Sequence, residues 1–164
     1  MMKGLYILDE GSFKVIYGAE EQEDIGKLVD IYAPPQTTRS IKENPSLLAN
    51  VEVIFSGWGA PRMDEEFLSH CPNLKAVFYG AGSIKGLVSD AFWDRGIVIT
   101  SAYAANAVPV AEYTISQILF CLKRGWHFAL TIKREGRYPE VKQVPGAYGT
   151  TVGIISLGMI GRRV

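Results

Sequence analysis

Two glycines and a serine near the end of the sequence have the spacing of a phosphate-binding turn. Ser156, Gly158 and Gly161 follow the apolar residues 152–155 and match the pattern G-x-G-x-x-G, with serine in the first position. In this pattern a strand leads through a turn into a helix, whose free backbone N–H groups face a pyrophosphate. The first glycine normally makes the tight turn, so Ser156 requires a negative φ or a local hydrogen bond of its hydroxyl. A plain glycine turn beside a buried strand is the alternative.

The other residue types that often carry chemistry lack the partners they need. His70 and His127 have no acidic residue placed to orient an imidazole, and the His70-Cys71 pair has no second ligand pair for a metal. Ser101 and Ser116 lack the glycine frame of a nucleophile elbow. We therefore predict no metal site, no hydrolase site and structural roles for both histidines.

Composition and charge narrow the class of protein. The 164 residues are 48% hydrophobic, and 17 basic side chains balance 17 acidic ones. A net charge of zero argues against nucleic acid or an anionic membrane surface as the main partner. Cys71 and Cys121 lie outside any CxxC motif, and no apolar run approaches the roughly 18 residues of a membrane span. These features predict a cytoplasmic protein with two reduced, mostly buried thiols, no nucleic-acid partner and no membrane segment.

Short apolar runs alternate with helical patterns along the first hundred residues. The five runs are residues 5–8, 29–33, 51–55, 74–79 and 97–100. Nearly all-apolar strands at this spacing predict an α/β fold, a flavodoxin-like parallel five-stranded sheet covered on both faces. A long helix is predicted from residue 108 to about 135, with Pro109 and Glu112 in its first turn. Residues 136–150 are predicted to be a connecting loop, and residues 152–155 a further strand.

Two loops at the predicted carboxyl edge of the sheet are candidate binding elements. Gly80, Ala81, Gly82 and Ser83 follow the fourth run, and adjacent N–H groups in a concave turn can hold an anion. The alternative is a plain strand-to-helix turn. Trp58 follows the third run at the same edge and could line the pocket, or serve as a core or dimer aromatic.

Three stretches together resemble the family of D-isomer-specific 2-hydroxyacid dehydrogenases, which includes phosphoglycerate, glyoxylate/hydroxypyruvate and D-lactate dehydrogenases. They are LKAVFYGAGS at residues 74–83, IVITSAYAANAVPVAE at residues 97–112 and TTVGIISLGMIGRRV at residues 150–164. The resemblance covers the whole chain in the family's order. It implies a substrate domain over residues 1–102, followed over residues 103–164 by a long crossing helix and the truncated first β-turn-α of an NAD-binding Rossmann domain.

The resemblance also implies a reaction and site residues. The parent protein would be an oxidoreductase that interconverts a small-molecule 2-hydroxy acid and its 2-keto acid with NAD or NADP. Its substrate would be held by Gly80, Ala81, Gly82, Ser83 and Trp58, and its cofactor by Asn106, Ala107, Ser156, Gly158, Met159, Ile160 and Gly161. Asn106 could instead cap the long helix. The family's catalytic arginine, glutamate and histidine lie downstream of its glycine motif, so no catalytic residue is assigned here.

These implications lead to expectations for the chain itself. As an N-terminal fragment it would have no measurable dehydrogenase activity and weak or no cofactor binding. Its apolar long helix would make it a homodimer through residues 108–130, or leave the tail after Gly136 disordered. Two alternatives stay open, namely a non-catalytic dinucleotide-sensing corepressor of the same superfamily and a free-standing flavodoxin-like binding module. Asp9 and Glu10 hint at a receiver module, but Phe55-Ser56 stands where its phosphorylated aspartate should lie.

Overall fold

The first compact unit of the protein is built around a parallel sheet. The computed structural model describes residues 1–140 and 143–164, which form two compact units, Met1–Tyr103 and Ala104–Val164. The strands of the first unit are β1 (Met2–Ile7), β2 (Val29–Ile31), β3 (Val53–Ser56), β4 (Ala76–Tyr79) and β5 (Val98–Ser101). All neighbouring pairs are parallel in the order β2-β1-β3-β4-β5, which is the flavodoxin-like order. The predicted α/β fold is confirmed.

The helices of this unit begin where the sequence offers caps. They are α1 (Glu10–Ile16), α2 (Ala19–Leu28), α3 (Thr38–Glu43), a 3₁₀ helix (Pro45–Asn50), α4 (Glu65–Ser69) and α5 (Asp90–Asp94). Thr37 forms a capping box with Ser40, while Asp64 and Ser89 accept bonds from the third amide of their helices. Pro45 lacks an N–H and starts the 3₁₀ helix after α3 has ended, as its position predicts.

Helices pack on both faces of the sheet, but one face is only partly covered. The larger apolar cluster joins the strands to α3, α4, α5 and the 3₁₀ helix, and the smaller one joins them to α1 and α2. On the α1 side, Phe78 stacks on Phe55 with ring centroids 5.4 Å apart. Phe78 is nevertheless 42% exposed and Val98 61% exposed. The β4–β5 part of this face is therefore an apolar surface.

The two cysteines lie in different environments. Both are free thiols, but Cys71 is buried and Cys121 is exposed, so the prediction of mostly buried thiols is correct only for Cys71. Burial raises the pKa of Cys71 to about 12, against a smaller opposing effect of the nearby Arg95 charge. The guanidinium of Arg95 donates to the carbonyl oxygens of Leu68 and Cys71, each at 2.6 Å, and so satisfies the end of α4.

The single helix predicted from residue 108 to 135 is wrong at its start and in its middle. The structure has α6 (Tyr103–Leu122) and α7 (Gly125–Glu135). Alanines ahead of Pro109 favour helix, so α6 begins six residues before the proline and Glu112 lies beyond its first turn. The break follows from Arg124, which has a left-handed φ of 56°, and from Gly125, where a Cβ would collide with the Phe120 ring.

The strand predicted over residues 152–155 is not formed. Val152, Ile154 and Ile155 are exposed and belong to no sheet. A parallel strand needs a neighbour for its backbone N–H and C=O groups, and the described residues of the second unit contain no other strand. The predicted loop of residues 136–150 includes residues 141 and 142, which lie outside the described part of the chain.

Candidate functional site

The carboxyl edge of the sheet brings three loops together. Ile7, Ser56, Tyr79 and Ser101 lie in register at the last row of β1, β3, β4 and β5. The loops after β1, β3 and β4 therefore leave the sheet side by side. The strand order reverses between β1 and β3, and open α/β sheets bind ligands at this switch point.

Tyr17 fixes the backbone beneath these loops. Its hydroxyl donates to the carbonyl oxygen of Ser56 at 2.9 Å and lies 3.2 Å from that of Phe78. Burial raises the pKa of Tyr17, with a further contribution from the nearby Tyr6 hydroxyl, so this hydroxyl stays protonated as a donor. The sequence does not predict this role, because the spacing of Tyr17 indicates only an apolar helix face.

The glycine-rich turn follows β4 and is held from two sides. The Gly80 amide donates to the Ser56 carbonyl oxygen at 2.9 Å, and a Cβ at residue 80 would collide with the Ile16 side chain. On the other side, Ser101 Oγ lies 3.0 Å from the Ala81 carbonyl oxygen and is hydrogen-bonded to that of Gly82. This role of Ser101 could not be predicted from neighbouring residues, because its partners lie about twenty positions earlier in the chain.

With its carbonyls engaged, the turn leaves a row of donors without acceptors. Within residues 1–140 and 143–164, the amides of Ala81, Gly82 and Ser83 donate no hydrogen bond. Ala81 is fully buried, Gly82 half-buried and Ser83 exposed. The amides of Gly82 and Ser83 are accessible and unpaired within the described residues, so they can donate to an anion.

Trp58 and Asp9 lie at the same sheet edge, on the loops after β3 and β1. The Asp9 amide donates to the Trp58 carbonyl oxygen at 3.0 Å, which ties the two loops together. Thr38 Oγ1 donates to the carbonyl oxygen of Gly59, the residue after Trp58, at 2.7 Å. The Trp58 indole is 45% exposed, so it is not a core aromatic and is available to a ligand.

The other predicted site residues lie in the second unit. Asn106 lies inside α6, because the helix begins at Tyr103, and so the alternative of an N-cap is wrong. The side chain of Ala107 is buried. Met159 and Ile160 are partly exposed within the turn that follows Ser156.

The turn over residues 156–161 keeps part of the geometry of a glycine motif, although no strand leads into it. Ser156 adopts a φ of 83°, which glycine takes freely and serine does not, and its hydroxyl forms no hydrogen bond with the described residues. Neither of the two predicted conditions, a negative φ or a local hydrogen bond of the hydroxyl, is therefore met. A Cβ at Gly161 would collide with the Ser156 carbonyl oxygen, whereas Gly158 faces open space except for Ser156 Oγ at 3.8 Å. These are the roles of the third and second glycines in a dinucleotide turn, so the residues present fit a pyrophosphate.

Hydrogen bonds begin a helical turn behind these glycines. The Arg162 amide donates to the Gly158 carbonyl oxygen at 3.0 Å, and the Val164 amide to that of Ile160 at 3.1 Å. Arg162 Nε also donates to the Leu157 carbonyl oxygen at 2.9 Å.

Among the described residues, no three His, Cys, Asp or Glu side chains are grouped to hold a metal ion. None of the described helices is long and apolar enough to cross a bilayer.

The first unit thus carries a glycine-rich turn at the carboxyl edge of a flavodoxin-like sheet, and the second unit carries a separate glycine turn. No family model matches the chain. The curated relatives and structural neighbours are nevertheless D-2-hydroxyacid dehydrogenases, and they confirm the predicted resemblance to that family over part of its length.

Three of these proteins illustrate the extent of the likeness. (S)-Sulfolactate dehydrogenase of Chromohalobacter salexigens is 30% identical over 102 residues, which are 62% of this chain and 33% of the relative. D-3-Phosphoglycerate dehydrogenase of Methanocaldococcus jannaschii is 27% identical over 71% of this chain and 22% of the relative. The structure of D-lactate dehydrogenase from Aquifex aeolicus, complexed with NAD and lactic acid, has a TM-score of 0.70 at 23% identity, covering 98% of this chain and 46% of that one. The chain thus spans a third or less of the curated relatives it matches.

Proposed function

We propose that this chain provides the acid-binding part of an NAD(P)-dependent D-2-hydroxyacid dehydrogenase. The observation that carries the proposal is the set of acceptor-free amides at Ala81, Gly82 and Ser83 on the carboxyl edge of a flavodoxin-like sheet. The relatives, which are dehydrogenases, support it. A substrate carboxylate would accept bonds from Gly82 and Ser83, while Ser101 keeps the carbonyls of the turn pointing away from it.

The same proposal assigns the turn over residues 156–161 to the cofactor. The open space above Gly158 admits a pyrophosphate without a Cβ in the way, and Gly161 allows the backbone to close behind it. A bound NAD or NADP would supply the hydride-transfer chemistry. Asn106 and Ala107 keep their proposed place near the nicotinamide, as the resemblance implies. Because that resemblance places the catalytic arginine, glutamate and histidine downstream of the glycine motif, we expect no turnover of glyoxylate or hydroxypyruvate with NADH by the 164 residues alone.

The Ser101→Ala variant tests the acid-binding turn. In ¹H–¹⁵N NMR titrations with D-lactate, we expect the amides of Gly82 and Ser83 to shift in the unsubstituted chain. Loss of the Ser101 hydroxyl, a hydrogen bond contributing about 1 kcal/mol, should weaken binding about fivefold. The matched control is Ser116→Ala, which removes a hydroxyl that bonds only the Tyr113 carbonyl within α6. The proposal fails if D-lactate leaves the amides of Gly82 and Ser83 unshifted.

We also propose that the chain self-associates through α6 and α7. Their exposed apolar side chains include Tyr113, Leu119, Trp126 and Leu130. Contiguous apolar surface of this kind favours burial against a partner at roughly 25 cal/mol per Å². Sedimentation velocity should show a homodimer that the double variant Leu119→Glu/Leu130→Glu converts to monomer. A monomer at all concentrations in the unsubstituted chain would contradict this.

A further inference from the structure

A carboxylate without a partner lies at the same sheet edge as the glycine-rich turn. Asp9 follows β1 and precedes α1, yet its side chain makes no capping hydrogen bond. Within the described residues no basic side chain forms an ion pair with it. A Cβ at Gly59, whose φ is +79°, would collide with the Asp9 carboxyl group. The carboxylate therefore rests on the loop after β3, held there through the Asp9 amide and the Trp58 carbonyl.

The strand spacing sets how far this charge lies from a bound acid. One strand, β3, separates β1 from β4, so residues after β1 lie about 10 Å from residues after β4. An acid anchored at Gly82 and Ser83 that extended along the edge toward β1 would cross the loop after β3, which carries Trp58. Its far end would then lie nearest the loop after β1, which carries Asp9. The exposed Asp9 carboxylate would repel a second negative group at that end, and a separation of roughly 6 Å in water corresponds to about threefold weaker binding.

We propose that Asp9 determines specificity by disfavouring 2-hydroxy acids that carry a second anionic group. The favoured class is monocarboxylic acids whose substituent is uncharged and packs against Trp58. This inference rests on the proposed function. It also separates the chain from the curated relatives, because sulfolactate and phosphoglycerate, for which those are named, each carry a second anion.

The test compares two acids that differ only at the far end. D-2-Hydroxybutyrate and D-malate share four carbons and the 2-hydroxy acid group, but one ends in a methyl and the other in a carboxylate. Their dissociation constants are measured by ¹H–¹⁵N NMR at low ionic strength, where screening is weakest. The variants are Asp9→Asn, which keeps the shape of the side chain, and Glu10→Gln, which removes an equal charge one residue further on.

We expect the unsubstituted chain to bind D-2-hydroxybutyrate at least about threefold more tightly than D-malate. Asp9→Asn should tighten D-malate alone and bring the ratio close to one, whereas Glu10→Gln should keep it. Added salt should reduce the ratio in the unsubstituted chain and in Glu10→Gln, but not in Asp9→Asn. If both acids shift Gly82 and Ser83 and the ratio is the same in Asp9→Asn, this inference is wrong while the proposed function stands. If neither acid shifts these amides, the proposed function fails and the inference falls with it.

Discussion

We expect the Tyr17→Ala substitution to lower the free energy of unfolding of the first unit by roughly 3–5 kcal/mol. The Tyr17 ring is 7% exposed and packs against Tyr6 and Phe55, with ring centroids 5.0 and 6.3 Å away. Its removal leaves a cavity under the smaller apolar cluster, and two carbonyls at the binding edge lose their donor. Urea denaturation followed by circular dichroism measures the loss, and acid binding at Gly82 and Ser83 should weaken in parallel.

Two conservative variants separate the ring from the hydroxyl. Tyr17→Phe keeps the ring but leaves the carbonyls of Ser56 and Phe78 without this donor, which should cost roughly 1–3 kcal/mol. Tyr6→Phe is the matched control in the same cluster, because the Tyr6 hydroxyl is buried without a partner among the described residues. Removing the Tyr6 hydroxyl should leave the free energy of unfolding unchanged or raise it. Equal losses in the two variants would contradict the assigned role of Tyr17.

The raised pKa of Tyr17 has a consequence at high pH. In the unfolded chain this phenol loses its proton near its ordinary pKa of about 10, while in the folded chain it still holds it. The unfolded state then binds fewer protons, so the free energy of unfolding decreases as the pH rises above 10. Tyr17→Phe should make this alkaline decrease shallower, which is a readout that a loss of packing alone would not change.

Local patterns were enough to predict most of the first unit. Each of its strands is a short apolar run, and the side chains that start α3, α4 and α5 are recognisable caps. The strand order followed from the alternation of strands and helices. These features depend on residues within a few positions of one another.

The features that were missed depend on residues far apart or on missing neighbours. Tyr17 meets Ser56 and Phe78 across 39 and 61 positions, and Ser101 meets the glycine-rich turn across about twenty. The periodic spacing of apolar residues in the sequence does not indicate such long-range contacts. Residues 152–155 have the composition of a strand, but composition cannot show that a pairing partner is present. Helix α6 begins before Pro109, although a proline usually marks the first turn of a helix. The helix propensity of the residues on the amino side of Pro109 therefore outweighs the proline.

The largest effect in the second unit should come from Gly161→Ala. The new methyl group would collide with the Ser156 carbonyl oxygen, so the turn over residues 156–161 has to open. Hydrogen exchange at the amides of Arg162 and Val164, which bond back to Gly158 and Ile160, should then speed up to the rate of an unfolded chain. If NAD binds at this turn as proposed, the unsubstituted chain should broaden the adenine resonances of millimolar NAD, and Gly161→Ala should abolish that broadening.

Gly158→Ala and Ser156→Gly distinguish loss of the turn from loss of the ligand. At Gly158 the methyl meets nothing nearer than Ser156 Oγ at 3.8 Å, so exchange protection should stay while the broadening of NAD is lost, because the methyl fills the pyrophosphate position. Ser156→Gly removes a side chain from a residue with a φ of 83° and should stabilise the turn by about 1 kcal/mol, with slower exchange and stronger broadening. Normal NAD broadening in Gly158→Ala would show that the nucleotide binds elsewhere. Unchanged exchange in Gly161→Ala would show that Gly161 does not close this turn.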